Sequence, residues 1–110
     1  MSDLKTYQAF TDSTAIYPKD QELSYVMLGL MSEVGEIADK LKKHIRDGNG
    51  EPMNDQQIIA LQKEMGDVLW YLARLHQHYN LSMEHTLLVN MTKLQNRKAS
   101  NTLSGSGDER

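Results

Sequence analysis

The 110 residues are enough for one domain but too few for two, because each of two cores would be too small to be stable. Apolar residues make up 39% and charged residues 25%, a globular composition, and the absence of Cys excludes disulfide and thiolate chemistry. The net charge of -3 argues against a long nucleic acid as partner. Since the sequence also has no secretory signal and no apolar run of membrane-spanning length, we expect a cytoplasmic protein.

Helical periodicity, punctuated by the only two prolines, predicts four helices in chain order. They run approximately over residues 3–14, 20–46, 54–79 and 82–99. Asn54 begins a capping-box pattern, Asn80 is a plausible terminator, and Ser82 is a plausible N-cap. Residues 1–99 are therefore predicted to form one helical domain, and the polar tail 100–110 is predicted to be disordered.

No segment alternates strictly between apolar and polar residues, so the predicted fold class is all-α. The two long central helices, joined by a short loop, should form an antiparallel hairpin to which the N- and C-terminal helices add. At about 1.5 Å per residue each would be nearly 40 Å long. Such long helices need partners, so we expect a bundle completed by oligomerisation, as a homodimer or homotetramer.

Each long helix carries an apolar stripe with a second track beside it. The stripes, expected to face a core, are Leu23, Met27, Leu30, Val34, Ile37 and Leu41 in the first helix, and Ile58, Leu61, Met65, Val68, Leu72, Leu75 and Tyr79 in the second. The neighbouring tracks contain the acidic pairs Glu33/Glu36 and Glu64/Asp67. Counted outward from the shared turn, the two pairs reach nearly the same level of the hairpin.

Four carboxylates at one level repel one another unless a cation neutralises them, and a hard divalent ion with oxygen ligands does this best. The sequence therefore predicts a magnesium site at Glu33, Glu36, Glu64 and Asp67, with manganese as a possible substitute. The alternative is that the acids belong to ordinary solvated faces. The Glu-x-x-His motif of di-iron bundles does not occur, which favours magnesium or manganese over iron or zinc.

Cationic and aromatic residues lie near these acids or on the last helix. Lys40 and Lys43 continue the acidic track, and Asn90, Lys93 and Arg97 share one face of the last helix. The four cations are candidate phosphate ligands, with a solvated amphipathic surface as the alternative. Asn90, Trp70 and Tyr71 are candidates for contacting a nucleoside, although aromatic residues in helices more often pack in a core or interface.

These segments resemble the MazG-like, all-α nucleoside triphosphate pyrophosphohydrolases, whose signature is EExxE followed, after a helical hairpin, by ExxD. The corresponding segments here are SEVGE at 32–36 and EMGD at 64–67, and NMTKLQNRK at 90–98 resembles the family's C-terminal Asn, Lys and Arg cluster. The similarity extends over about residues 5–99 and is specific as a constellation. Ser32 departs from the first Glu of the signature but removes no predicted ligand.

The resemblance implies a magnesium-dependent enzyme that converts nucleoside triphosphates to monophosphates and pyrophosphate. By that resemblance Glu33 or Glu36 would accept the proton of the attacking water, and Lys40, Lys43, Lys93 and Arg97 would bind phosphates. Two alternatives stay open: a non-catalytic helical module for oligomerisation or binding, and a narrow dUTP or dCTP pyrophosphatase that uses the same metal chemistry.

Overall fold

The computed structural model describes residues 3–108, which form four α-helices and no strand. The helices are α1, Leu4–Phe10; α2, Glu22–Asp47; α3, Asp55–His78; and α4, Met83–Ala99. The predicted all-α class and helix order are confirmed. The first helix is shorter than predicted, because its α-helical part ends at Phe10 and a 3₁₀ turn continues over Thr11–Thr14. No helix within residues 3–108 is both long and apolar enough to cross a membrane.

Side chains at the helix ends explain where the helices begin and stop. Asn54 accepts a hydrogen bond from the Gln57 amide at 2.9 Å, and the Gln57 side chain accepts one from the Asn54 amide at 2.8 Å, so the predicted capping box is confirmed. Asn80 adopts a left-handed φ of 55° just after α3, and the Ser82 hydroxyl accepts from the His85 amide at 3.2 Å. The predicted stop and restart between α3 and α4 are also confirmed.

Helices α2 and α3 pack against each other as an antiparallel hairpin. Close to the connecting turn, Lys40 pairs with Glu64; farther from it, Gly29 lies against the ring of Tyr71. Both contacts come from the second, partly polar track of each helix. The track that carries the acids therefore faces the seam between the helices.

The prediction that the apolar stripes face a core is wrong for much of their length within a single chain. On α2, Met27 is 39% and Val34 42% exposed, and on α3 Ile58 is 50% and Met65 47% exposed. The reason is rotational: with the second tracks turned into the seam, the stripes lie at its edge, and one chain has no further layer to cover them.

Burial is concentrated where the N-terminal segment meets the hairpin. The buried apolar residues of the described chain are Tyr17, Val26, Ala73 and Met83. The radius of gyration is 17.3 Å, whereas a compact domain of this length has a value of about 13 Å. The chain is thus an open arrangement, with its hairpin extending away from this small core.

The C-terminal segment lies against the end of α4. The Thr102 amide donates to the Arg97 carbonyl at 2.8 Å, and the Asp108 carboxylate reaches the side chains of Lys93 and Arg97. The predicted disorder of the tail stays a prediction, and its last two residues, 109 and 110, lie outside the described part of the chain.

Candidate active site

Three carboxylates meet at the seam between α2 and α3. Glu33 on α2 and Glu64 and Asp67 on α3 each offer an oxygen, and these oxygens lie within 4.8 Å of one another. Glu64 and Asp67 share a face because three residues nearly complete a helical turn, and the antiparallel packing brings Glu33 to their level. The structure therefore brings together three of the four predicted ligands.

The electrostatics of this acidic cluster, defined as Glu33, Glu64 and Asp67, show that its negative charge is poorly compensated. The pKa of Glu33 is raised to about 7, first by a hydrogen bond to the Glu64 carboxylate, then by partial burial and by the charges of its acidic neighbours. A carboxyl that holds its proton near neutrality is a group that other negative charges disfavour in its ionised form. A cation would relieve that repulsion.

Glu36 lies one turn beyond Glu33 but is exposed and falls outside the group of converging oxygens. Its charge still contributes to the raised pKa of Glu33, so it lies near the cluster. Glu36 has the same three-residue spacing from Glu33 that Asp67 has from Glu64, so it keeps to the same side of α2, although its oxygens do not converge with those of the cluster. Its predicted role as a ligand stays a prediction.

The donors of the acidic cluster fit a hard divalent cation. All are carboxylate oxygens, which suit magnesium, manganese or calcium, and the cluster includes no thiolate or imidazole, which zinc prefers. Magnesium commonly binds through one or two carboxylates, with water and substrate phosphates completing its shell. A partly exposed three-carboxylate cluster satisfies that requirement.

The two lysines predicted to bind phosphate differ in their surroundings. The Lys40 ammonium lies 3.7 Å from a Glu64 oxygen, directly beside the cluster, whereas that of Lys43 lies 2.7 Å from Asp39. Both lysines line a cavity of about 450 Å³ at the turn between α2 and α3, together with His44. The cavity therefore has a cationic wall that adjoins the acidic cluster through Lys40.

The residues of α4 lie elsewhere in the single chain, because this helix packs chiefly on α1. Asn90 is exposed, and Lys93 and Arg97 pair with the same Asp108 oxygen at 3.2 and 3.1 Å. The Arg97 Nε is buried without a hydrogen-bond partner among the described residues. The pair is thus an anion-binding group that holds a carboxylate of the tail.

Four aromatic rings continue the seam on the side of the cluster away from the turn. Tyr71 packs edge-on against Trp70, with ring centroids 5.0 Å apart, and Tyr25 stacks on Tyr17 with centroids 4.6 Å apart. The Trp70 indole donates to the Thr14 hydroxyl at 2.7 Å, so its polar edge binds the N-terminal segment. The charges of Glu33 and Asp67 contribute to raising the pKa of Tyr71, after burial and the neighbouring Tyr25, which places this ring beside the acids.

Sequence analysis assigned no role to Arg74, yet it lies at the centre of a buried polar network. Its side chain is 5% exposed; its Nε donates to the Tyr17 hydroxyl at 3.0 Å, and its guanidinium pairs with Asp12 and Glu22. Its position on the second track of α3, beside the acids, is the one feature of the sequence that could have indicated a role. Its partners Tyr17 and Glu22 could not be found in this way, because they are more than 50 residues away along the chain. The network joins the N-terminal segment to the hairpin.

Tyr7 is a second residue near the site that sequence analysis missed. Its pKa is raised by burial and then by the charge of Asp67, so α1 brings a phenol hydroxyl toward the acidic cluster. Nothing in the sequence indicates this proximity, since it depends on how α1 crosses α3.

Comparison with known proteins agrees with this geometry. The sequence model of the MazG nucleotide pyrophosphohydrolase domain matches residues 21–101, which include α2, α3 and α4. The chain belongs to the MazG family. Within this MazG domain the matched segment includes all the predicted metal and phosphate ligands, and α1 lies outside it.

A relative of this MazG protein is the "Gene 37 protein" of Mycobacterium phage L5. The two are 41% identical, and the alignment covers 94% of this chain and 96% of that protein. The likeness thus extends over nearly the whole of both chains. No solved structure matches this MazG chain.

Proposed function

We propose that this MazG domain hydrolyses nucleoside triphosphates to nucleoside monophosphates and pyrophosphate, using magnesium held by Glu33, Glu64 and Asp67, with Glu36 as a fourth ligand. The observation that carries the proposal is the convergence of three carboxylate oxygens within 4.8 Å at the seam of the hairpin. Converging carboxylates repel one another, and a cation shared with an anionic substrate would offset that repulsion. Membership of a nucleotide pyrophosphohydrolase family supports the same reading.

The chemistry requires a new bond from a water oxygen to phosphorus and rupture of the anhydride bond that joins the nucleoside monophosphate to pyrophosphate. Bound magnesium would polarise the phosphoryl oxygens and lower the pKa of the attacking water. Glu33 or Glu36 accepts the proton that this water loses. Glu33 has a pKa raised to about 7, whereas Glu36 is the more exposed of the two candidate bases.

The cations position the phosphates. Lys40, already 3.7 Å from Glu64, is placed to contact a phosphate bound at the acidic cluster, and Lys43 lines the adjoining cavity. Lys93 and Arg97 lie on α4 and bind a tail carboxylate, a group that a phosphate can replace. Asn90 lies one turn before Lys93 on α4, where we assign it to the sugar or base.

We also propose that the functional unit is a symmetric homodimer or homotetramer. The support is the exposed apolar edge of the hairpin: Leu28 is 73%, Met31 62% and Ile45 82% exposed. Large apolar side chains exposed to this degree along one helix are typical of a surface that another chain covers. Size-exclusion chromatography with light scattering should give two or four times the chain mass of 12.6 kDa, and a mass of one chain would contradict the proposal.

The decisive experiment measures pyrophosphate release from a panel of ribo- and deoxynucleoside triphosphates, with magnesium and with excess chelator. We expect magnesium-dependent release that Glu33→Gln and Glu36→Gln lower by at least about 100-fold. The matched control is Glu84→Gln, an exposed acid on α4 that should retain wild-type activity.

The panel also separates the alternatives. Release from dUTP or dCTP alone identifies a narrow pyrophosphatase, and release from many triphosphates identifies a broad one. A folded, oligomeric protein that releases no pyrophosphate from any triphosphate would favour the non-catalytic helical module.

A further inference from the structure

Tyr25 presents an exposed ring on the same line of α2 as the acidic cluster. It precedes Gly29 by four residues and Glu33 by eight, so all three share one face, and its Cα lies about 12 Å along the helix axis from that of Glu33. The side chain is 44% exposed although it belongs to the aromatic group at the seam. The exposed ring therefore lies on the same side of α2 as the proposed phosphate site.

Gly29 explains how the neighbouring ring is held. A Cβ built on Gly29 would lie 2.2 Å from the Tyr71 Cε1 atom, so the absence of a side chain creates a notch that this ring fills. The Tyr71 ring thus crosses from α3 onto α2, between Tyr25 and the acidic cluster. Tyr25 contributes, after burial, to raising the pKa of Tyr71, and the two ring centroids lie 6.3 Å apart.

The other face of Tyr25 is supported from behind. It stacks on Tyr17, with ring centroids 4.6 Å apart and an interplanar angle of 22°. Tyr17 is only 7% exposed, and its hydroxyl donates to Glu22 and accepts from Arg74. Tyr25 is therefore a partly exposed ring on a rigid backing, which is the property of a stacking platform that loses little conformational entropy on binding.

We propose that Tyr25 is the platform on which the base of the nucleotide stacks, with Tyr71 as the positioning residue that holds it. This inference rests on the proposed function, since it needs phosphates at the acidic cluster. The separation along α2 can be spanned by a stacked base, its ribose and its α-phosphate, together with the proposed cation between that phosphate and Glu33. The Trp70 indole is engaged with Thr14, which leaves Tyr25 as the more accessible ring.

A platform of this kind gives affinity with little discrimination among bases. Every nucleobase has a π-face, so stacking on a Tyr ring strengthens the binding of all four. The inference thus predicts that Tyr25 affects the affinity for nucleotides as a class and leaves the affinity for a triphosphate without a base unchanged.

The experiment compares wild type with Tyr25→Ala, Tyr25→Phe and the control Tyr79→Ala, an exposed tyrosine at the end of α3. For each protein it measures kcat and KM for several nucleoside triphosphates and the inhibition constant of inorganic tripolyphosphate, which lacks a base. Tyr25→Ala should raise KM about tenfold for every nucleotide, with kcat within about twofold and an unchanged tripolyphosphate constant. Tyr25→Phe and Tyr79→Ala should stay within about threefold of wild type.

An unchanged KM in Tyr25→Ala overturns the inference and leaves the proposed function intact. A parallel rise in the tripolyphosphate constant also overturns it, because the substitution would then have distorted the phosphate site. If wild type binds nucleotides without turnover, the proposed function fails. Calorimetry then tests the inference, which predicts that the dissociation constant of Tyr25→Ala is about tenfold that of wild type. Wild type that binds no nucleotide overturns both.

Discussion

The carboxyl groups of Glu33 and Glu64 meet across the seam of the α2–α3 hairpin with oxygens within 4.8 Å of each other, and hydrogen bonding between them is the largest cause of the raised pKa of Glu33. Two acids share a proton in this way only when their surroundings keep them close and offer too little positive charge. Lys40, 3.7 Å from Glu64 and one-third exposed, neutralises the cluster only in part. This poorly compensated negative charge supports the cation site that we propose.

Magnesium should therefore stabilise the fold as well as support activity. We expect 10 mM magnesium at pH 8 to raise the melting temperature by about 5–10 °C, equivalent to about 1–2 kcal/mol, because the ion binds the folded chain alone. Glu64→Gln should melt higher than wild type without magnesium, since it removes one repelling charge, and should lose most of the magnesium effect. Calorimetry measures both, and a wild-type melting temperature indifferent to magnesium would contradict the assignment.

The Arg74 network should make stability fall in acid. The pKa of Glu22 is lowered by hydrogen bonds from Tyr17 and His78 and by Arg74, and that of Asp12 by hydrogen bonds from Gln77 and Arg74. A carboxylate with a depressed pKa in the folded state contributes stability above its unfolded pKa, and this contribution disappears as the pH falls through the folded pKa. We thus expect the free energy of unfolding to decline below about pH 4.5.

Glu22→Gln isolates that contribution. At pH 7 the variant should be less stable than wild type by about 1–3 kcal/mol, because Arg74 loses a charged partner at a nearly buried position. Its loss of stability between pH 6 and pH 3 should be smaller than that of wild type. Urea unfolding at both pH values measures this, with the exposed Glu84→Gln as control; equal acid losses in Glu22→Gln and wild type would exclude Glu22 as the titrating group.

Alanine substitutions at two glycines of α2, Gly29 and Gly35, should change the stability of the fold in opposite directions. Gly29→Ala should destabilise by about 1–3 kcal/mol, because the new methyl group overlaps the Tyr71 ring. Gly35→Ala has nothing within 4 Å of its added Cβ and should stabilise by about 0.5–1 kcal/mol through helix propensity. The double variant Gly29→Ala/Tyr71→Ala should be no less stable than Tyr71→Ala alone, because the ring that the methyl group would overlap is then absent. A Gly29→Ala as stable as Gly35→Ala would mean that Tyr71 does not occupy the notch.

The side-chain carboxylate of Asp108, in the C-terminal tail, should compete weakly with substrate. Asp108 forms ion pairs with Lys93 and Arg97, the two residues that we assign to phosphate binding. Because its side chain is 79% exposed, these ion pairs are weak and a phosphate can displace it. Asp108→Asn should lower KM for nucleoside triphosphates by about two- to fivefold with kcat unchanged, while Arg97→Ala should raise KM. Steady-state kinetics at low ionic strength distinguishes these directions. A KM unaffected by Asp108→Asn would show that the tail contact does not compete with substrate.

Helix boundaries and the level of the acids could be predicted from the sequence because both depend on local rules. The capping residues Asn54 and Ser82 act within three residues of their own positions. The meeting of Glu33 with Glu64 and Asp67 follows from a constant rise per residue and a short turn that makes the helices antiparallel. Position directly after the second acidic pair also singles out Trp70 and Tyr71, whose contact with a nucleoside stays a prediction.

The rotation of the helices about their axes decided the rest, and only tertiary packing sets it. Two tracks lie side by side on α2, and their apolar content favoured the stripe of Met27 and Val34 as the buried one; the notch at Gly29, filled by Tyr71, turned the other track into the seam. The partners of Arg74 also came from the fold, because Asp12 and Glu22 lie more than 50 residues away and no local periodicity connects them to it. Spacing along the chain determines which residues share a level, whereas contacts between distant segments determine which of them face one another.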